Sequence, residues 1–279
     1  MTPDWATLFA PRPLAERAVQ LSLPRLPGPV WFASARAADL RELPPEMFLT
    51  DAESARAAAF KFGQPRENFA LGRLAGKLAL GAGLHVGASS PLTPALSPGG
   101  GEGEELARRL RSFEIGNGER GEPVVRAGEL RLPPLLATGA TDGGWKPPAR
   151  GISLSHVNGL GVAVTFPAGA RVGLDLELMD AKRAETVRKG VPLSAEEEAW
   201  LKATSLPQPT ALLLLWTARE ALGKALGTGM ACKWESLALR ELERVGDGVF
   251  SGSFLHRPQF QCVSWIGAGA VMSLAFETA

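Results

Sequence analysis

A chain of 279 residues has room for one large domain or two of ordinary size, and its 45% hydrophobic content is typical of a globular protein with a core. Lys and Arg number 30 against 29 Asp and Glu, so the net charge of +1 argues against a general nucleic-acid binder. The two cysteines, Cys232 and Cys262, form no CxxC pair and no cluster with histidine, which argues against disulfides and zinc and indicates a reducing cytoplasm. Residues 1–10 lack the basic run of a signal peptide, and the longest apolar run, 211–216, is too short to span a membrane. We therefore expect a soluble protein that works without nucleic acid or membrane.

The first part of the chain begins with short apolar runs and then becomes helical. Residues 1–50 are rich in proline, and we expect loops there and an edge strand at 30–32. Residues 51 to about 84 are rich in alanine and predict two helices. Pro65 should separate them, because proline interrupts the helical hydrogen-bond ladder.

Two stretches further along have the composition of loops. Residues 87–105 are rich in Pro, Ser and Gly and cannot bury enough apolar surface to offset the entropy of ordering. We expect a flexible insertion there and a second loop-like stretch at 133–150.

The following segments predict strands, then helices, then strands. Strands at 152–155, 160–166 and 171–178, joined by short turns, indicate an antiparallel meander. One helix should begin near Ser194, where Ser-x-x-Glu to Glu197 is a capping box, and the next should cover 210–226. Further short strands are predicted at 234–240, 248–254 and 261–276. The fold class is α+β, with an N-terminal half at 1–168 and a C-terminal half at 169–279.

Two carboxylates lie on one face of the strand at 171–178. Alternation along the strand directs Gly173, Asp175 and Glu177 to one side, with the two acids about 7 Å apart at the backbone. A hard cation such as Mg²⁺, with oxygen ligands, suits two close carboxylates. An amphipathic edge strand with its polar face in water is the alternative interpretation.

The helix at 210–226 could complete such a site. Trp216, Arg219, Glu220 and Lys224 recur at spacings of three or four and so share a face. Glu220 could join the metal ligands while the two cations meet a phosphate, and Trp216 is interpreted as core packing that anchors the helix. The alternative is a surface helix with a Glu220–Lys224 ion pair, which contributes only a few tenths of a kcal/mol, roughly.

These residues together resemble the surfactin-type 4'-phosphopantetheinyl transferases. That family has a strand G-[IV]-D-[IV]-E followed by a helix W-[ST]-x-K-E-x-[FLY]-x-K-x-x-G-x-G, and this chain has GLDLE at 173–177 and WTAREALGKALGTG at 216–229. The order and spacing of the pair are more specific than either motif alone. Further matches are the strand ISLSH at 152–156, the helix start LSAEE at 193–197, the turn GERGEP at 118–123, and the basic-helix residues Arg66, Phe69, Gly72, Arg73 and Lys77.

The resemblance implies a monomer of two similar α+β halves related by a pseudo-twofold, with coenzyme A in the cleft between them. It implies transfer of 4'-phosphopantetheine to a serine of an apo acyl or peptidyl carrier protein, with release of adenosine 3',5'-bisphosphate. The implied metal ligands for Mg²⁺ are Asp175, Glu177 and Glu220. The implied coenzyme A contacts are His156, Arg66, Arg73, Lys224 and Arg219. Lys224 would also stabilise the leaving phosphate, and the base for the serine proton would be Glu220 or Glu197.

Departures from the family pattern leave alternatives open. Glu122 stands where the family has the lysine of a G-K-P turn, which should weaken one contact to a nucleotide phosphate, and Ser153 replaces the usual asparagine. Arg219 replaces the usual lysine with a planar fork. A catalytically weak module that binds coenzyme A or a carrier protein is therefore the main alternative, and an unrelated magnesium-dependent phosphoesterase is a third.

Overall fold

The computed structural model describes residues 3–23, 26, 28–61, 63–84, 102–119, 121–127 and 150–278, and these form an α+β protein. The helices and strands in chain order are α1 (Trp5–Leu8), β1 (Val19–Leu21), β2 (Val30–Arg36), α2 (Asp39–Glu42), α3 (Pro45–Phe48), α4 (Asp51–Ala58), α5 (Gly63–Leu84), α6 (Glu102–Arg111), β3 (Phe113–Asn117), β4 (Pro123–Ala127), β5 (Arg150–Val157), β6 (Leu160–Pro167), β7 (Val172–Leu178), α7 (Ala181–Gly190), α8 (Ala195–Ala203), α9 (Gln208–Ala225), β8 (Leu239–Gly246), β9 (Val249–Phe254), β10 (Phe260–Gly267) and β11 (Ala270–Glu277). Short 3-10 turns cover Leu14–Glu16, Gly229–Ala231 and Trp234–Leu237.

The chain divides into two compact units. One comprises Pro11–Gln20 and Pro29–Ala168, and the other comprises Met1–Ala10, Leu21–Gly28 and Gly169–Ala279. The division into halves at 168/169 and a pseudo-twofold between them remain predictions. Among the described residues, no helix combines the length and apolar character needed to cross a membrane.

The unit that contains 29–168 is built around a four-stranded sheet with strand order β1-β2-β6-β5. β6 pairs antiparallel with both β2 and β5. The expected edge strand at 30–32 is wrong, because β2 lies between β1 and β6 and Val30 and Phe32 are fully buried. The long helix α5 packs closely on the sheet: a Cβ at Gly161 of β6 would lie 2.5 Å from the Leu71 carbonyl carbon.

Local signals decide the helices of this unit. α4 begins at a capping box in which Thr50 and Glu53 exchange hydrogen bonds. The two predicted helices are confirmed, although Pro65 lies within the first turn of α5, where a missing N–H costs nothing, and the break precedes it. The predicted insertion is wrong at its end, since residues 102–105 begin the amphipathic helix α6. Residues 87–101, and 133–149 of the second predicted loop, lie outside the described residues.

The unit that contains 169–279 holds an antiparallel five-stranded sheet with strand order β7-β11-β10-β9-β8. β8 to β11 follow one another as hairpins, and β7 pairs with β11 so that Asp175 lies opposite Ser273. The predicted meander of three strands is therefore wrong: β5 and β6 form one hairpin, whereas β7 belongs to the other sheet. Val172, Leu174 and Leu176 of β7 are buried.

Helices α8 and α9 contact this sheet directly, and α7 packs on α9. α8 begins at the predicted capping box of Ser194 and Glu197, and α9 matches the predicted helix within two residues at each end. α7 was not expected, because only two small positions of this strongly charged helix, Ala184 and Val187, are buried. α9 is buried on nearly every face, which rules out the surface-helix interpretation. Its leucines fill the core between the sheet and α7.

Candidate active site on strand β7 and helix α9

The two acids of strand β7, Asp175 and Glu177, differ in how deeply they are buried. The strand is buried over its first five residues, and Asp175 is only 7% exposed, whereas Glu177 near the end of the strand is half-buried. Burial of an uncompensated carboxylate is costly, so Asp175 requires a cation or strong donors nearby. The interpretation of β7 as a strand with its polar face in water is therefore wrong for Asp175.

Gly173 allows β7 and α9 to touch backbone to backbone. A Cβ at Gly173 would overlap the Ala221 carbonyl oxygen and would lie 2.5 Å from the Ala225 nitrogen and 3.0 Å from the Lys224 Cβ. Any side chain here would force the helix away from the strand. The glycine of the strand motif thus sets the separation between the acids of β7 and the charged residues of α9.

Lys224 is the nearest cation to Asp175. Its Nζ donates to Asp175 Oδ1 at 2.8 Å and to the Leu174 carbonyl oxygen at 2.9 Å. The lysine side chain remains 28% exposed, so it can also reach a ligand. The predicted grouping of Lys224 with the acidic strand is present in the structure.

Three N–H donors meet on a single oxygen of Glu177. Arg183 of α7 donates its Nη2 at 2.6 Å and its Nε at 3.1 Å to Oε1, and Trp216 donates its Nε1 to the same atom at 3.0 Å. The Arg183 guanidinium lies 4.9 Å from the Trp216 ring centroid, and Trp216 stacks on Trp234. Trp216 is core packing, as predicted, but it also holds a site carboxylate. Arg183 was missed, because it lies on the helix that the sequence did not reveal.

Glu220 of α9 experiences the charges of both strand acids. The pKa of Glu220 is raised from 4.5 to about 7, first by burial and then by the negative charges of Asp175 and Glu177, while Lys224 and Arg183 oppose the rise. Glu220 thus feels the charges of both acids, and the predicted convergence of the three around one metal ion stays a prediction. At neutral pH this carboxyl group is poised between its two protonation states.

The donor set is of the kind that magnesium prefers, although the side chains are not arranged as a metal site. Within the described segments, no group of three or more His, Cys, Asp or Glu side chains is placed to hold a metal ion. Asp175 and Glu177 are instead paired with Lys224 and Arg183. Three carboxylates are nevertheless the hard oxygen ligands that a divalent cation takes, and burial together with the charges of Asp175 and Glu177 raises the pKa of the third, Glu220.

Glu197 and Arg219 form an internal ion pair. Their side chains are 1% and 0% exposed, and both guanidinium nitrogens Nε and Nη2 donate to the carboxylate. Glu197 also accepts from the backbone of Ser194 and Leu239, and Arg219 Nη1 donates to the Pro192 and Trp234 carbonyls. The carboxylate and the guanidinium thus make hydrogen bonds to protein groups on several sides, and the pair joins α8, α9 and β8. The predicted roles of Glu197 as a base and of Arg219 as a coenzyme A contact would require this buried pair to open, and they stay predictions.

Buried hydroxyl groups lie beside the acidic strand. Ser273, opposite Asp175 in the sheet, is 2.7 Å from the Thr217 hydroxyl and 2.8 Å from the Ser264 hydroxyl. Thr217 belongs to the helix motif, but the sequence gave no sign of its two serine partners. The chain of hydroxyls joins β10, β11 and α9 beneath the site.

The basic residues predicted to contact the nucleotide belong to the other unit and differ from one another. Arg66 is exposed on the first turns of α5. Burial lowers the pKa of Arg73 to about 10, and its guanidinium lies 3.9 Å from Glu53 and over the Phe69 ring. Lys77 is fully buried on Glu53 at 2.6 Å. Arg73 thus packs beside Glu53 and Phe69, and its predicted contact to the nucleotide stays a prediction.

His156 is exposed near the end of β5 and lies beside Gly72 of helix α5. A Cβ at Gly72 would lie 3.6 Å from the His156 Cδ2 atom, so the helix passes close to the imidazole ring. Glu122 lies in the turn between β3 and β4, where its carbonyl oxygen accepts from the Gly118 nitrogen at 2.7 Å. Both residues are accessible to a ligand.

Comparison with known proteins finds a match in the part of the chain that contains the acids of β7 and α9. Residues 171–275 match the sequence model of the 4'-phosphopantetheinyl transferase superfamily, which is less than half of the chain. No curated protein sequence matches the chain. The match includes Asp175, Glu177, Glu220 and Lys224. The chain is thus similar to this superfamily over one segment, and that segment contains both the strand motif and the helix motif.

Proposed function

We propose that this protein transfers 4'-phosphopantetheine from coenzyme A to a serine of an apo acyl or peptidyl carrier protein and releases adenosine 3',5'-bisphosphate. The observation that carries the proposal is the contact of the two motifs within the segment that matches the superfamily, where Lys224 of α9 pairs with the buried Asp175 of β7. The motif spacing and the chain length favour the surfactin-type branch, acting as a cytoplasmic monomer.

The three acids are the proposed ligands for Mg²⁺. When bound, the ion would withdraw charge from the pyrophosphate of coenzyme A and help to hold it in line. Asp175 supplies its carboxylate from a rigid, buried strand, and Glu220 comes from a helix in direct backbone contact with that strand. Such rigid support favours a fixed separation of the ligands.

Lys224 and Glu220 have the proposed roles in group transfer. The serine oxygen attacks the β-phosphorus, and the bond from this phosphorus to the bridging oxygen of the nucleotide breaks. Lys224, held by Asp175 yet partly exposed, stabilises the negative charge that develops on the leaving phosphate. The serine proton passes to Glu220, directly or through water, and a pKa near 7 suits a general base at neutral pH.

His156 and Arg66 are the proposed contacts to the nucleotide end of coenzyme A, since both are exposed. Arg73 and Arg219 as coenzyme A contacts and Glu197 as an alternative base belong to the same proposal, but each is buried in an internal ion pair that would have to open first. Glu122 is expected to weaken coenzyme A binding without removing the acids that the reaction requires.

The direct test combines the protein with coenzyme A, Mg²⁺ and an apo carrier protein, and measures the mass of the carrier. A gain of one phosphopantetheine on the carrier, absent when its acceptor serine is replaced by alanine, supports the transferase. Binding of coenzyme A without any mass gain would instead indicate a binding module. Hydrolysis of coenzyme A without carrier modification would indicate a phosphoesterase. Running acyl and peptidyl carriers in parallel identifies the preferred acceptor.

A further inference from the structure

The contacts around Glu177 assign a role to a residue outside both motifs. Arg183 lies on α7, six residues after Glu177, and its planar guanidinium directs two N–H groups at Oε1. Trp216 adds a third donor from α9. A carboxylate oxygen held by three donors from two helices has a fixed orientation, because rotation of the carboxylate would break all three bonds.

All three donors bind Oε1 of Glu177, and none of them binds the second oxygen, Oε2. Among the described residues, none donates a hydrogen bond to Glu177 Oε2. Donors on one oxygen of a ligating carboxylate are the usual way in which a protein orients that ligand toward a metal. Resting on the proposed function, we propose that Arg183 is a positioning residue that holds Glu177 by Oε1 and leaves Oε2 for the divalent cation.

Trp216 makes the position of Arg183 rigid. The guanidinium lies over the indole ring at 4.9 Å, and the ring is itself stacked on Trp234 at 4.9 Å between centroids. Arginine stacks in this way while keeping its N–H groups in plane, which a lysine ammonium cannot do. The 40% exposure of the Arg183 side chain means that its replacement should not unfold the protein.

The chain offers a matched control on the same helix. Arg188 of α7 is 44% exposed and pairs with Glu198 at 2.8 Å, an acid outside the proposed metal ligands. Arg188→Met therefore removes an equal charge and a similar ion pair from α7. Any general effect of charge loss or helix weakening should be shared by Arg183→Met and Arg188→Met.

The test measures binding of Mn²⁺ alone to the full-length protein by electron paramagnetic resonance, with folding checked by thermal unfolding. We expect Arg183→Met to raise the Mn²⁺ dissociation constant on the order of tenfold or more, as loss of an orienting partner does elsewhere. Arg188→Met should stay within about twofold of wild type, an effect typical of remote surface charge. Trp216→Phe keeps the ring and should weaken binding in the same direction. The double variant should lose less than the sum of the two, since both donors hold one atom.

Several outcomes would overturn the inference. Unchanged Mn²⁺ affinity in Arg183→Met would show that the contact is only structural, and tighter binding would show that Arg183 competes with the cation. If wild type modifies the carrier but Arg183→Met behaves like Arg188→Met, the positioning role alone fails. If wild type neither binds Mn²⁺ nor modifies the carrier, the proposed function fails and the inference fails with it.

Discussion

Replacing Glu220 by glutamine should stabilise the metal-free protein while it removes activity. The carboxyl group of Glu220 is half-buried, and burial together with the charge of Asp175 raises its pKa from 4.5 to about 7. The folded protein therefore holds this proton more tightly than the unfolded chain does. The stabilisation from the bound proton is complete below about pH 4.5 and is lost as the pH rises through 7.

The size of the effect follows from the pKa difference. Because each pKa unit corresponds to about 1.4 kcal/mol, the difference sets an upper bound of about 3.4 kcal/mol in the free energy of unfolding above pH 7. Glu220 is only partly buried, and solvent screening reduces this bound to an expected 1–2 kcal/mol, roughly. Glu220→Gln has nearly the same shape but cannot ionise, so it should avoid this loss. At about 2–4 °C per kcal/mol, its Tm at pH 8 should exceed that of wild type by several degrees.

The assay is thermal unfolding of both proteins in a chelator between pH 5 and pH 8, followed by circular dichroism. The difference in Tm should be small at pH 5 and should grow toward pH 8. Adding Mg²⁺ at pH 8 should raise the Tm of wild type more than that of the variant, because a ligand of the folded state stabilises by mass action. A variant that is no more stable at pH 8, or a Tm difference independent of pH, would refute the electrostatic account of Glu220.

Three further substitutions test the site and its support. Asp175→Ala should lower carrier modification by about 10²-fold or more, as expected for loss of an electrostatic group in the transition state, whereas Asp247→Ala, at an exposed turn, should match wild type in the same mass assay. Gly173→Ala should cost about 1–3 kcal/mol in urea unfolding because its Cβ meets helix backbone, whereas Gly190→Ala, with no atom within 4 Å, should be neutral, and equal losses would contradict the close packing of β7 and α9. Glu197→Gln should cost about 3–5 kcal/mol by leaving a buried guanidinium unpaired. Turnover per folded molecule should survive this change, and a loss of turnover without a loss of stability would restore the catalytic role of Glu197.

The helices and the acidic motifs were predictable because their determinants are local. The capping box at Ser194 fixes the start of α8 through two reciprocal hydrogen bonds within four residues. Alternation along β7 likewise predicts that Asp175 and Glu177 share a side, since this depends only on the geometry of a strand. The α+β class follows from such local signals.

Pairing of strands across the chain could not be predicted in the same way. The short connection after β6 favoured pairing with the neighbouring strand, but the partner of β7 is β11, almost a hundred residues later. The position of β2 inside its sheet, rather than at the edge, depends on the same kind of non-local pairing.

The surroundings of the site residues were also beyond the sequence. Glu197 and Arg219 carry charges that suggest chemistry, and only the loss of solvent around both shows that they serve as an internal tie. Arg183 reaches Glu177 from a strongly charged helix with only two buried positions. Because Arg183 acts through Glu177, it belongs to neither sequence motif and could not be predicted from them.

The backbone-to-backbone contact between Gly173 and α9 has a consequence for how this protein can change over evolutionary time. Where two elements are spaced by side chains, each exchange of a large residue for a small one alters their distance. Here the spacing is fixed by main-chain atoms. Leucines elsewhere in the core can therefore be exchanged for other apolar residues while the strand and helix keep their relative position, provided that this one residue stays without a side chain.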